Sequence, residues 1–304
     1  MNAAPQALSK PDLDANAVYP LDNSEGETSR LERQADELMP DSRALLDRTG
    51  LRPGNSVIDL GCGPRGILDL LAERVSPGGR VVGVDSDPAH TAMASEFAAK
   101  RGLANVELIT TDARDTGLPS GSFDLVHART LLINVPEPAQ VVAEMARLAR
   151  PGGWVVAMEP DAEYTVCYPP DAAFSRLREI FPVVAGRNGA DPHIGRRVPE
   201  LFRQAGLHEV AVEATAHVYP LGHSRRTIRM DLMRAMRPYV LELGLASEAE
   251  LGELDAAARA HLDDPDTVVM PHIFFLVSAR KPVLSALRLL TTDQAGTGFA
   301  ANSD

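Results

Sequence analysis

Residues 57–66 read VIDLGCGPRG. A short apolar run carries one acid, Asp59, and ends in G-x-G-x-x-G at Gly61, Gly63 and Gly66. Glycines at that spacing permit a tight strand-to-helix turn and let backbone N–H groups approach a ligand closely. The spacing alone can serve a dinucleotide, a nucleoside or no ligand, so its meaning depends on what flanks it.

On both sides of this stretch, strand and helix patterns alternate. Ser56–Leu60 reads as a buried strand, and GILDLLAERV after it has apolar residues at helical spacing. RVVGVD is a second strand. Asp87 then caps a helix whose first turn holds Pro88, and Gly102 ends it. NVELIT and FDLVHA are the third and fourth strands, Pro138 opens a helix running to Arg150, and WVVAME is the fifth strand. This rhythm predicts a doubly wound, mostly parallel α/β sheet. Beyond it, Phe174–Phe181 and Arg197–Gln204 read as helices, HEVAVEATAHVYP as a long strand, Arg225 to about Leu262 as two helices, and PHIFFLVSARK as a last strand. The second helix of that pair opens on a Ser247-x-x-Glu250 capping box. Near the N-terminus, Leu31, Ala35 and Leu38 mark one face of a helix that Pro40 is expected to stop.

Composition narrows the classes. The chain has 304 residues, 44% of them hydrophobic, enough for a large core. Its net charge is −12, which argues against a broad phosphate-binding surface; Lys occurs only at Lys10, Lys100 and Lys281, which reads as base composition and not as a binding signal. No nucleic-acid partner is therefore expected. Cys62 and Cys167 form no Cys-x-x-Cys pair and no cluster with zinc spacing, so no metal is expected either. No run is long and apolar enough for a membrane span, and the first residues lack a signal core, so a cytoplasmic protein without a membrane partner is the default.

Three acids give the glycine turn a specific reading. Asp59 lies inside the strand end, Asp85 ends the next strand where a carboxylate can accept both ribose hydroxyls, and Asp112 in TTDA ends the third strand beside the same crevice. With VIDLGCGPRG, VVGVDSDP, TTDARDTGLPSGSFDLVHART and ARLARPGGWVVAMEPD in this order, the chain resembles the class I S-adenosylmethionine-dependent methyltransferases of the small-molecule, UbiE-like group. The resemblance implies a seven-stranded Rossmann-like sheet, with an N-terminal helical lid and a helical insertion before the last strand. Together with the polar composition of both ends, which reads as a disordered leader at 1–17 and a flexible tail at 286–304, it places the lid at 18–50 and the cofactor-binding domain at 51–285 with its insertion at about 222–267. S-adenosylmethionine would pass Gly61, Cys62 and Gly63, with Asp59 near its ammonium. Asp85 would hold the ribose, and Ser86 would flank the adenine. Asp112 and Ala113 would read the adenine edge, and His127 would sit near the methionine part. Tyr19, Arg30 and Gln34 are the lid candidates, with Arg30 placed to pair with the cofactor carboxylate.

The acceptor pocket should lie beyond the carboxyl ends of the strands. Glu159, Asp161 and Tyr164, His193 and Arg196 of DPHIGRR, and His217, Tyr219 and His223 are the candidates there. Ile228, Met230, Leu232, Met233 and Met236 of the insertion are candidate lining residues. If the acceptor needs a base, His193 is the first candidate, with Asp191 two residues before it, and His127 the second. A small molecule is the expected partner, for a monomer or homodimer in secondary-metabolite or quinone-like biosynthesis. Two other readings stand beside this one. A non-methylating enzyme of the same fold would carry the same cofactor motifs. A nicotinamide-dependent oxidoreductase would have an apolar residue where Asp59 stands.

Overall fold

The computed structural model describes residues 25–187 and 189–283. Tyr19, the expected leader and the tail at 286–304 lie outside them. The apolar run quoted above forms β1 (Ser56–Leu60), at the middle of a seven-stranded sheet. The other strands in chain order are β2 (Arg80–Asp85), β3 (Val106–Thr110), β4 (Phe123–Arg129), β5 (Ala149–Asp161), the short β6 (Val166–Tyr168), β7 (His208–Ala216), the short β8 (Val268–Met270) and β9 (Ile273–Arg280). The order across the sheet is β3-β2-β1-β4-β5-β9-β7. Pairing is parallel from β3 to β5, and β9 runs antiparallel between β5 and β7. β6 and β8 make a separate antiparallel pair.

The helices are α1 (Glu25–Glu37), α2 (Met39–Asp47), α3 (Leu68–Val75), α4 (Pro88–Lys100), α5 (Pro138–Leu148), α6 (Ala172–Arg187), α7 (Ile194–Gln204), α8 (Ile228–Ala235), α9 (Arg237–Glu242) and α10 (Glu248–Leu262). Alternating side chains send each strand's apolar residues to both faces, as a doubly covered parallel sheet requires. Ile58, Val126 and Ala157 pack against Val141 and Met145 of α5 and Val198 and Phe202 of α7. Val57, Leu125 and Val156 pack on the other face against Leu45 and Leu46 of α2 and Leu68 and Leu71 of α3. A further core joins α6, α8, α10 and β8 through Leu177, Met230, Met233 and Leu262. Met230 and Met233 are therefore packing residues of the insertion.

Local differences from the sequence expectation have physical reasons. Pro40 does not only stop a helix. It stands in the first turn of α2, where its missing N–H costs no bond. The long strand expected through Pro220 ends at Ala216, because its partner β9 begins opposite it at Ile273. Arg225–Leu262 folds as a short 3₁₀ turn and three helices rather than two.

The strand order reverses between β1 and β4, the switch point where open α/β sheets bind ligands. The loop after β4 is pinned there. Thr130 adopts φ +52°, a conformation costly for a β-branched residue. The Glu159 carboxylate, fully enclosed within β5, accepts from the next three backbone N–H groups: Leu131 at 2.9 Å, Leu132 at 2.9 Å and Ile133 at 3.2 Å. Burial pushes the Glu159 carboxyl up to about 7, against these three bonds, which favour the anion. Its folded pKa thus stands above an unfolded value of about 4.3. Its contribution to stability is complete below that value and is lost as pH rises through about 7. The stability gap between the parent and Glu159→Gln is therefore expected to narrow by up to about 3 kcal/mol between acid and mildly alkaline pH. Urea unfolding of both proteins at pH about 5 and about 8.5 measures it. A gap that stays constant or widens contradicts the assignment.

Candidate functional site

The glycine turn needs glycine for steric reasons. Gly61, Gly63 and Gly66 have φ of +67°, +60° and +54°. A Cβ on Gly66 would stand 2.6 Å from Asp59 Oδ2, and one on Gly61 would stand 2.7 Å from Leu131 Cδ1. A Cβ on Gly63 would meet nothing within 4 Å, because that side of the turn faces open space. Asp85, at the end of β2, holds the turn from the side. Its Oδ2 accepts from Gly63 N at 2.8 Å and its Oδ1 from Asp87 N at 3.0 Å. Burial pushes the Asp85 carboxyl up, but the neighbouring His90 and these two N–H groups together hold it below its ordinary value.

A cavity of about 530 Å³ opens over this turn, a size typical of small-ligand sites. Gly61, Gly63, Asp85, Ser86, Asp112 and Ala113 line its near end. Arg30 and Gln34 of α1 also line it. Arg30 donates to Gln34 Oε1 at 2.9 Å, and Gln34 donates to Thr130 Oγ1 at 3.3 Å. Asp112 takes Arg114 on both carboxylate oxygens, Nε at 3.1 Å from Oδ1 and Nη2 at 2.7 Å from Oδ2, so little of it is left for an adenine amino group.

Beneath the turn lies a buried polar pair. His127 Nδ1 stands 2.7 Å from Asp59 Oδ1, and the ring is 1% exposed. Asp59 Oδ2 also accepts from Ile67 N at 3.5 Å. Both side chains hold the turn in shape, and His127 does not line the cavity. Cys62 is buried beside them. Its thiol is pushed up by burial and by Asp59 and Asp85, which leaves it inert.

Arg129, which the sequence reading did not single out, is a buried cation of this end. It is buried, it donates to Ser42 Oγ at 3.1 Å and to Gly66 O at 3.4 Å, and it lines the cavity. Desolvation brings its pKa down to about 10. A side chain at the carboxyl end of a switch-point strand was the signal that could have found it.

The far end of the cavity is walled by the insertion and the segment before β9. Phe181, Ile228, Leu232, Met236 and Phe274 make it apolar, and Arg225, Arg229 and His272 make it polar. Ile228, Leu232 and Met236 were expected there; the two arginines and His272 were not. Arg225 and Arg229 are four residues apart, the spacing that places two side chains on one helical face.

The other expected acceptor-side residues lie away from the cavity wall. His193 is half-buried at the start of α7, its Nδ1 3.6 Å from Asp161 Oδ1. Asp191, expected to polarise the ring, instead accepts from the His193 backbone N at 2.9 Å and from Arg197. Glu159 anchors the loop after β4. Tyr164 is exposed, under the Arg196 guanidinium at 5.0 Å. His217 contacts Asp41 at 2.8 Å, and Tyr219 stacks on His223 with ring centroids 4.5 Å apart. These placements share one feature: each polar side chain has a protein partner outside the cavity. Among the described residues, no group of His, Cys, Asp and Glu could hold a metal ion, and no helix is long and apolar enough to cross a membrane.

Residues 58–157 match the methyltransferase domain family. The chain is 45% identical over 115 residues to the nocamycin O-methyltransferase of Saccharothrix syringae, covering 38% of this chain and 41% of that protein. It is 35% identical over 196 residues to the demethylmenaquinone methyltransferase of Geobacillus sp., covering 59% of this chain and 83% of that protein. With the nocamycin enzyme, a transposon protein of Streptomyces fradiae and the aklanonic acid methyltransferase of a Streptomyces strain, the match spans only 41–55% of each relative's length. Among solved structures, a phosphoethanolamine N-methyltransferase of Haemonchus contortus, bound to phosphomonomethylethanolamine and S-adenosylhomocysteine, shares the fold. Its TM-score is 0.53 at 19% identity, over 80% of this chain and 53% of that one. The chain belongs to the class I S-adenosylmethionine-dependent methyltransferases, in their UbiE-like small-molecule group.

Proposed function

We propose that this chain transfers a methyl group from S-adenosylmethionine to a small-molecule acceptor. One observation carries the reading: a single cavity joins the glycine turn and Asp85 to the apolar wall of the helical insertion. In this reading Asp85 accepts from the ribose hydroxyls, Ser86 flanks the adenine, and Asp112 and Ala113 face its edge. The Gly61–Gly63 backbone passes the amino-acid part, and Arg129, with Arg30, takes the cofactor's carboxylate. An O, N or C acceptor in secondary-metabolite or quinone-like biosynthesis finds support in the relatives named for nocamycin and demethylmenaquinone.

The bound sulfonium supplies an already activated methyl group. The chain's own residues orient the acceptor in line with it and exclude water. Positioning of this kind contributes up to about 7–11 kcal/mol to a two-partner reaction. The histidines first considered as bases, His193 and His127, do not reach the cavity. His272 does, but its Nε2 lies 3.2 Å from Arg225 Nη1, which can only donate. Its Nε2 lone pair is therefore engaged, and burial with the nearby arginines pushes its pKa well below the ordinary histidine range. Positioning, rather than proton removal by a histidine, is the contribution this geometry supports.

Two substitutions test the cofactor end. Asp85→Ala is expected to weaken S-adenosylhomocysteine binding by about 2–4 kcal/mol, because a charged acceptor for two hydroxyls is lost. Calorimetry giving parental affinity would remove Asp85 from the ribose site. Arg129→Gln is expected to weaken S-adenosylhomocysteine by about 1.5–3 kcal/mol, yet leave adenosine, which lacks the carboxylate, unchanged. Equal losses for both ligands would show that Arg129 only shapes the turn. Activity itself is read by mass spectrometry of candidate small-molecule pools. The expected product gains one methylene unit of mass with stoichiometric S-adenosylhomocysteine, and cofactor binding without such a product in any pool would favour a non-methylating enzyme.

A further inference from the structure

Among the described residues, the far end of the cavity holds a buried cation with no counter-charge. Arg229 on α8 is 4% exposed. Its Nη2 donates to Thr165 Oγ1 and to Pro271 O, both at 3.0 Å, and its guanidinium lies 5.1 Å from the Phe181 ring centre. All three partners are neutral, and its Nε has no hydrogen-bond partner among the described residues. Desolvation, with the like charge of Arg178, brings its pKa down to about 10, so it is still cationic at neutral pH.

Its neighbours do not neutralise it. Arg225 is equally enclosed, but its Nε donates to Glu37 Oε2 at 2.9 Å, so that charge is matched. Arg225 Nη2 still lacks a partner among the described residues. His272 accepts from Arg225 and carries no charge. Two guanidiniums and one carboxylate leave this wall with an excess positive charge facing an apolar pocket.

Arg226 shows what a purely structural arginine looks like in the same segment. It donates to the carbonyl oxygens of Leu262, Tyr219, Asp264 and Thr267, and it does not line the cavity. Arg229 has fewer bonds and faces the space. A buried, uncompensated charge is costly unless an ion of opposite sign meets it.

We propose that Arg229 selects acceptors bearing an ionised acidic oxygen, as a carboxylate or as an acidic enol or phenol. The apolar body of such an acceptor lies against Phe181, Ile228, Leu232 and Met236. The proposal rests on the methyltransferase reading, which makes this end of the cavity the acceptor pocket. It also accords with the histidines of the wall among the described residues, since His272 is engaged by Arg225 and His90 stands against Asp85 at the cofactor end, and an oxygen already ionised needs no base.

The test is a pair of probes of equal shape, anthraquinone-2-carboxylate and anthraquinone-2-carboxamide, titrated at neutral pH into protein saturated with S-adenosylhomocysteine. The carboxylate is expected to bind about tenfold tighter or more, the worth of one charge-assisted hydrogen bond. A carboxylate that fails to bind, or binds no tighter than the amide, overturns the proposal with no variant needed. In Arg229→Gln the preference should fall to within about twofold, with S-adenosylhomocysteine affinity unchanged. A preference that survives there assigns it to another residue and overturns the proposal. Should Arg229→Gln fail to fold, Arg229→Lys replaces it. A compact ammonium lacks the planar fork, so the preference should shrink severalfold, and affinities unchanged for both probes overturn the assignment. Absence of S-adenosylhomocysteine binding in the parent is a different result, because it removes the methyltransferase reading itself.

Discussion

Two carboxylates hold the glycine turn, and the rest of the site depends on them. From below, Asp59 takes His127 on one oxygen and Ile67 N on the other, and that second oxygen occupies the space a Cβ on Gly66 would need. From the side, Asp85 takes Gly63 N. A turn with three successive left-handed glycines has little intrinsic preference for one shape, since glycine loses more freedom on ordering than any other residue. The buried acids supply that preference. The low dielectric around Asp59 and His127 makes their contact stronger than it would be in water, and an orphaned member correspondingly costly.

The same logic runs through the loop on the other side of the switch point. β1 and β4 are neighbours, so the turn after β1 and the loop after β4 must share one small space. Leu131 enters so close to Gly61 that only hydrogen fits between them. Glu159 holds that loop through three N–H bonds and thereby keeps Thr130 in its strained conformation. The acids of β1, β2 and β5 thus act on backbone N–H groups before any ligand is present. A chain with net charge −12 keeps its cavity from being uniformly acidic by directing several carboxylates into the protein and leaving arginines on the wall.

The sheet half of the molecule was legible in the sequence because its signals are local. Apolar runs ending in an acid marked β1 and β2, and glycine spacing marked the turn. Asp85, Ser86 and Ala113 follow from strand ends that the pattern already located, and all three line the cavity. Side-chain direction was not legible. Asp191 near His193 suggested a base held by an acid, yet the same spacing satisfies the N-terminus of α7, since Asp191 accepts from the His193 backbone. Glu159 lies at the right end of β5 but turns inward to the β4 loop. His127 sits at the carboxyl end of β4, as expected, and points beneath the turn instead of over it. In each case a short polar side chain took the nearest unsatisfied group, which a linear pattern does not reveal.

The acceptor half was least legible because long side chains build it from a distance. Arg225, Arg226 and Arg229 stand within one short segment and look alike in sequence. One reaches Glu37 on α1, one is sheathed in four carbonyls, and one is left against Phe181 with no acid in reach among the described residues. A guanidinium carries five donors on a flexible stem, so its partners depend on which loops the tertiary fold brings near. Here those loops are the 162–165 turn, the stretch before β9 and the end of α10. All three lie after the part of the chain where the family's motifs are concentrated. The glycine-turn end of the cavity is therefore made of backbone and short acids at positions the sheet dictates, whereas the end proposed for the acceptor is made of helix-borne arginines whose surroundings the insertion dictates. Under the proposed function, a change of acceptor can then be reached by altering the insertion alone, with the glycine turn and its two carboxylates left intact.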